Sequence, residues 1–139
     1  MKIEDQLCSR EQSEKLENLG VVTEAYFSHV AFGKTAIEKG VYEIMPTEEL
    51  RLGHTFNAYS SAELMEMLPN GIKNKNCSIS NFNLKLKKDL NDLWLAGYFD
   101  DFSDQTLFKV DWENPARSLA DVLIFVLKNN HVKPEDLKL

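Results

Sequence analysis

The chain has 139 residues, 43% of them hydrophobic and 27% charged, proportions that exclude a disordered chain. That length supports a core without metal or disulfide staples, so residues 1–139 are expected to form a single α+β domain. The formal charge of −6 hides an uneven layout: residues 70–88 hold five lysines and no acid, leaving −11 on the remainder.

The opening residues include Glu4 and Asp5 where a signal peptide has basic residues and then an apolar stretch. The longest unbroken apolar run, 122–127, is six residues, against the roughly 20 that span a bilayer. A cytoplasmic protein without membrane contact is expected. Cys8 and Cys77 form no CxxC pair and read as reduced thiols.

Ser9-Arg10-Glu11-Gln12 has the form of a capping box and Gly20 suits a left-handed stop, predicting a helix over 10–19. Residues 21–32, rich in β-branched and aromatic side chains, predict a strand. A short second one follows over 41–45 and ends at Pro46. Residues 34–40 read as their polar connection, and 46–59 as irregular. Ser60-Ser61-Ala62-Glu63 repeats the capping box and opens a helix of about two turns, which Pro69-Asn70-Gly71 breaks.

The Asn- and Ser-rich stretch 74–83 reads as an exposed loop. Phe82, Leu84 and Leu86 then alternate with Asn83, Lys85 and Lys87, as in a half-buried strand. Residues 93–99 are apolar nearly throughout and read as a central strand. Residues 106–112, with Phe108, Val110 and Trp112 on one face, complete a meander with turns at 88–92 and 100–104.

Asn114-Pro115 opens a last helix over 115–128. Between Leu119 and Leu127 only Asp121 is polar, and a helix apolar nearly all round must be covered on nearly all sides. One sheet covers one side. The other calls for a second helix of the same chain or another copy, so Val122, Phe125 and Val126 are candidate contacts of a homodimer, with a strand edge as the alternative. The expected architecture is α+β: one antiparallel sheet of about five strands with helices packed on one side, in chain order αββαβββα.

The ligand types His29, His54, His131, Cys8 and Cys77 have no metal-site spacing. Asp100, Asp101 and Asp104 lack the glycine and glutamate of a calcium loop and read as turn formers. The six glycines stand singly, so no phosphate cradle, and no metal or cofactor of any kind, is expected. Cys8 precedes a helix N-cap, where a thiol pKa can fall, and His29 or His54 could serve it as a base if the fold brings them near. The plainer reading of Cys8 is a small buried thiol. Tyr26, His29, His54 and Tyr59 could line a groove, although aromatics in strands are more often core.

Lys73, Lys75, Lys85, Lys87 and Lys88 form a candidate anion patch able to meet nucleic-acid phosphates. A solvated lysine edge that blocks strand-to-strand aggregation explains Lys85 and Lys87 equally well, and the acidic remainder would repel a duplex.

Four segments are similar in order and wording to a known group. They are Leu7-Cys8-Ser9 leading to Leu19-Gly20-Val21; Tyr26-Phe27-Ser28-His29; Ala58-Tyr59-Ser60-Ser61-Ala62-Glu63-Leu64 with the turn at Pro69; and Asn114-Pro115-Ala116-Arg117-Ser118-Leu119. Together they resemble small uncharacterised α+β proteins of gut-bacterial genomes, prophages and mobile elements. The resemblance spans roughly 7–132 and departs from the group at 70–81. It implies a fold and a bacterial or phage cytoplasm but carries no activity and no functional residues. The reading that follows is a small non-enzymatic accessory protein of a phage or mobile element, working through protein contacts. An enzyme assembled from Cys8, His29 and His54, and a weak polyanion binder through 70–88, are the alternatives.

Overall fold

The computed structural model describes residues 2–49 and 54–137. Its elements are α1 (Arg10–Asn18), β1 (Phe27–Ala31), α2 (Lys34–Lys39), β2 (Glu43–Pro46), β3 (His54–Ala58) and α3 (Ser61–Met67). They continue with β4 (Gly71–Lys73), β5 (Asn81–Lys88), β6 (Trp94–Asp100), β7 (Gln105–Trp112) and α4 (Pro115–Lys128). The fold class is α+β with antiparallel pairing, but the strands form two sheets, β2-β1-β3 and β4-β5-β6-β7. No helix among the described residues is long and apolar enough to cross a membrane.

Both predicted capping boxes are present, at Ser9 with Gln12 and at Ser60 with Glu63. Gly20, at φ +96°, ends α1 by donating to the Glu17 carbonyl, a backbone conformation that disfavours any side chain. The departures from expectation lie where local signal is poor. His54–Ala58 has little strand propensity of its own, yet it pairs residue for residue with β1, from Phe27 opposite Ala58 to Ala31 opposite His54. β4 is three residues long and exists as a strand because β5 binds it. Lys34–Lys39, expected as a polar connection, closes into a short helix that Gly40 stops in the left-handed region.

The hydrophobic centre is α4, buried between two layers. On one side lies the inner face of the larger sheet, where Ala96 and Tyr98 are fully buried and Leu84, Leu86, Phe108 and Val110 pack inward. On the other side lie α1 and α3. Ala116, Leu119, Ala120, Val122, Leu123 and Val126 show no surface at all. The one polar residue of that stretch has partners in both layers: Asp121 accepts from the Gln12 amide of α1 at 2.7 Å and from the Trp112 indole of β7 at 2.7 Å. Gln12 also donates to the Arg117 carbonyl, so the capping residue of α1 ties that helix to α4.

This corrects the dimer reading of α4. The second helical cover comes from the same chain, and Val122 and Val126 have nothing left to offer a second copy. Phe125 is half-buried, and its ring stacks on Phe108 at 4.3 Å and on His131 at 5.8 Å between centroids. Leu123→Ala is therefore expected to cost about 2–5 kcal/mol by urea unfolding, as a large-to-small change in a closed core. The loss is expected to be the same at low and high protein concentration; a concentration-dependent loss would return this helix to an interface.

Candidate functional site

The segment 7–8 runs antiparallel to the chain entering α3: Leu7 bridges Ser60, and the Cys8 N–H donates to the Tyr59 carbonyl at 2.9 Å. This brings Cys8 and His29 together, since the His29 Nε2 lies 2.9 Å from the Cys8 carbonyl oxygen. They do not form a nucleophile and base. The Cys8 thiol is hydrogen-bonded to the Ser13 hydroxyl at 3.2 Å, and the imidazole is occupied by the carbonyl. Burial pushes the thiol pKa up and, as the largest influence on His29, lowers the imidazole pKa. Both groups are held neutral, opposite to the charge pair that activates a cysteine.

The candidate groove of Tyr26, His29, His54 and Tyr59 is not assembled. Tyr59 is buried, its hydroxyl donating to the Thr23 carbonyl, and His29 is buried beside Cys8. Tyr26 is 79% exposed and lines a different, open groove of about 770 Å³ with Phe27, Pro46 and Thr47. His54 enters β3 by its backbone, and its side chain lies outside the described residues.

The lysine patch divides in three. Lys85 and Lys87 alternate on the solvent face of β5, and the register carries that face across the sheet. Lys85 stands opposite Gly97, and Gly97 opposite Lys109; Lys73 stands opposite Asn81. Lys73, Lys85, Lys87 and Lys109 therefore share one uncovered face with Asn81, Asn83 and the half-buried Phe99, against Asp111 on the face and Asp101 at its rim. The Asp101 carboxylate lies 2.5 Å from the Lys85 ammonium. Gly97 shapes the centre of this face. A methyl group there would stand 2.3 Å from the Phe108 carbonyl oxygen and 3.0 Å from the Phe99 ring, so the absence of a side chain lets that ring lie over the strand. Lys85 reaches within 5.9 Å of the ring centroid.

Lys88 does not belong to this face. It sits near Trp94 at the far end and within 3.8 Å of Asp92. Lys73 and Lys75 line a cleft of about 550 Å³ at the end of the sheet, with His131 among its other lining residues. Lys109 and His131 lie outside the lysine-rich segment. The alternation of Phe108, Val110 and Trp112 already assigned Lys109 to the opposite face of β7, but only strand register sets it beside Lys85.

The wall of that cleft is organised by a buried carboxylate. Asp100, 2% exposed, accepts from the Ser80 hydroxyl, from the Asn74 amide at 2.7 Å, and from the Phe102 and Ser103 N–H groups. The Asn74 amide also reaches Gln105 and Ser103, while its carbonyl accepts the Asn76 N–H. The Ser80 hydroxyl foremost, then Asn74 and Ser103, hold the Asp100 carboxyl far below the usual carboxylate range, against the opposing effect of burial.

The chain matches no protein-family model, and no curated protein or solved structure matches it either. Geometry alone therefore decides among the candidate sites.

Two outcomes check this description. With a thiol reagent, Cys77 is expected to react in the native protein while Cys8 reacts only on unfolding; rapid native labelling of both would reopen the thiol-enzyme reading. Asp100→Asn is expected to lower the urea midpoint at neutral pH. Because the folded pKa lies below the unfolded value of about 3.9, the linked stability is complete above that pH and drains away as pH falls toward the folded value. The gap between wild type and variant should therefore narrow below about pH 4.

Proposed function

We propose that the protein is a non-enzymatic binding protein that takes single-stranded nucleic acid on the open face of the β4-β5-β6-β7 sheet. The observation that carries this reading is the position of Lys85 and Lys87 on β5. β4 pairs only with Asn81–Asn83, so beside Lys85 and Lys87 β5 is bonded to β6 alone, and guarding that edge against aggregation stands beside a binding role for them. What favours a ligand is their place on an uncovered sheet face that also carries Lys109 across Gly97 and Lys73 on β4.

Several features favour this ligand. Lysines two residues apart on a strand are spaced by about 6.8 Å, a stride suited to successive groups along an extended polyanion. Phe99, lying over Gly97 with Lys85 nearby, supplies an apolar ring of the kind on which a base stacks. Asn81 and Asn83 add uncharged hydrogen-bonding groups to the same face. The acidic remainder of the chain disfavours wrapping by a duplex and leaves the strand one basic surface to follow. The resemblance to proteins of gut-bacterial genomes, prophages and mobile elements sets this activity in an accessory protein of such an element.

The test is fluorescence anisotropy of labelled oligo-thymidylate and oligo-uridylate at low salt. Contact with three or four phosphates gives a log–log salt slope of about −2 to −3. Loss of one stacked base, in Phe99→Ala, costs about 1–3 kcal/mol. The double change Lys85→Glu and Lys87→Glu is expected to abolish binding while leaving the urea midpoint nearly unchanged. If neither oligonucleotide binds at low salt, the reading fails. It fails equally if polyglutamate competes as well as oligonucleotide and Phe99→Ala has no effect, which would assign the face to an acidic protein.

A further inference from the structure

A second site lies at one end of the larger sheet, and it does not rest on the reading of the open face. The cleft of about 550 Å³ there falls in the range of small-ligand pockets. Its apolar surface comes from Ile72, Phe82 and Leu107, which are part of the hydrophobic core or pack against it. Lys73 and Lys75 contribute cations where the chain leaves β4, and neither has an ion-pair partner among the described residues. His131 lines the cleft from the segment that follows α4. Its ring stacks on Phe125, and its backbone N–H donates to the Val126 carbonyl at 2.9 Å.

The charge balance of this cleft runs against that of the whole molecule. The chain is −6 overall, yet among the described residues no acid lines the cleft. Asp100, bonded to the lining residue Asn74, is buried and satisfied by Ser80, Asn74 and two backbone N–H groups. Asn74, buried and bonded on both ends of its amide, fixes the backbone between the two lysines. The wall is therefore preorganised, and its charge is left for a ligand rather than cancelled internally.

We infer that this cleft binds a small organic anion, with a carboxylate or phosphate head between Lys73, Lys75 and His131 and an apolar body against Ile72, Phe82 and Leu107. Head and body both contribute: the cations select charge, while the apolar surface excludes water and strengthens the attraction. Inorganic phosphate alone lacks the body, and a neutral alcohol lacks the head.

The experiment follows backbone amide resonances of the full chain during titration with octanoate, octyl phosphate, octanol and inorganic phosphate. Octanoate or octyl phosphate is expected to give saturable shifts centred on 72–76, 105–107 and 131, and the tighter of the two identifies the head group. Octanol and inorganic phosphate are expected to bind at least tenfold more weakly. Lys75→Glu, an exposed position that folding tolerates, should weaken the better ligand at least tenfold. Leu107→Trp, which fills the cleft, should abolish the shifts while the rest of the spectrum stays folded. Octanol binding as tightly as octanoate, shifts centred elsewhere, or insensitivity to Lys75→Glu would each overturn the assignment. Because Lys75 and Leu107 are not among the residues of the open face, either site can fail its test while the other stands.

Discussion

Fourteen residues, Pro115–Lys128, present apolar side chains in nearly every direction, and the rest of the protein is disposed to cover them. Removing side chains of this size from water stabilises by about 1.5–3 kcal/mol each, so leaving one flank of α4 bare would forfeit a large part of the folding free energy. The sheet closes one flank, and α1 with α3 closes the other. Asp121 shows how tightly this is specified. As the one polar residue in the apolar stretch, it occupies the position where Gln12 of one layer and Trp112 of the other both donate to it. Half-buried beside so much apolar surface, the carboxylate keeps these two partners and registers three elements against one another.

Covering α4 from both sides has a consequence for the larger sheet. Its inner face is fully committed to the helix, so its outer face has no structural duty and is left to solvent. There the chain places lysines rather than the acids that dominate elsewhere. Gly97 lies at the middle of that face, where close approach of the Phe108 carbonyl excludes a side chain, and Phe99 covers the gap. The same two constraints, a packed back and a glycine-thinned centre, produce a surface that is basic, shallow and partly aromatic.

At the end of the sheet a different logic holds. Asp100 closes the β6–β7 turn through the Phe102 and Ser103 N–H groups and holds the Lys73–Asn76 strand exit through Asn74. One carboxylate thus shapes a turn, a loop and a cleft wall, and its charge is spent on these bonds. Of the acids of 100–104, Asp100 is structural, while Asp101 is exposed and pairs with Lys85. Cys8, before α1, and His29, on β1, show the same economy: types suited to catalysis are used for packing and backbone hydrogen bonding.

Much of this was readable from local pattern. Capping boxes at Ser9 and Ser60, proline at the start of α4, and alternation along β5 and β7 are interactions of residues a few positions apart, so the order of the amino acids suffices to predict them. The unbalanced apolarity of α4 correctly demanded cover on a second side, but periodicity has no means of saying whose helix supplies it. β3 and β4 were invisible because their strandness comes from the partner strand rather than from His54–Ala58 or Gly71–Lys73. The open basic face joins Lys73, Lys85, Lys87 and Lys109, and the cleft joins Lys73, Lys75, Leu107 and His131. By itself the sequence determined α1, α3 and α4, their caps and which faces are oily. Only the tertiary structure decided which charges stand together, because strand register and chain reversal are long-range pairings that no local spacing encodes.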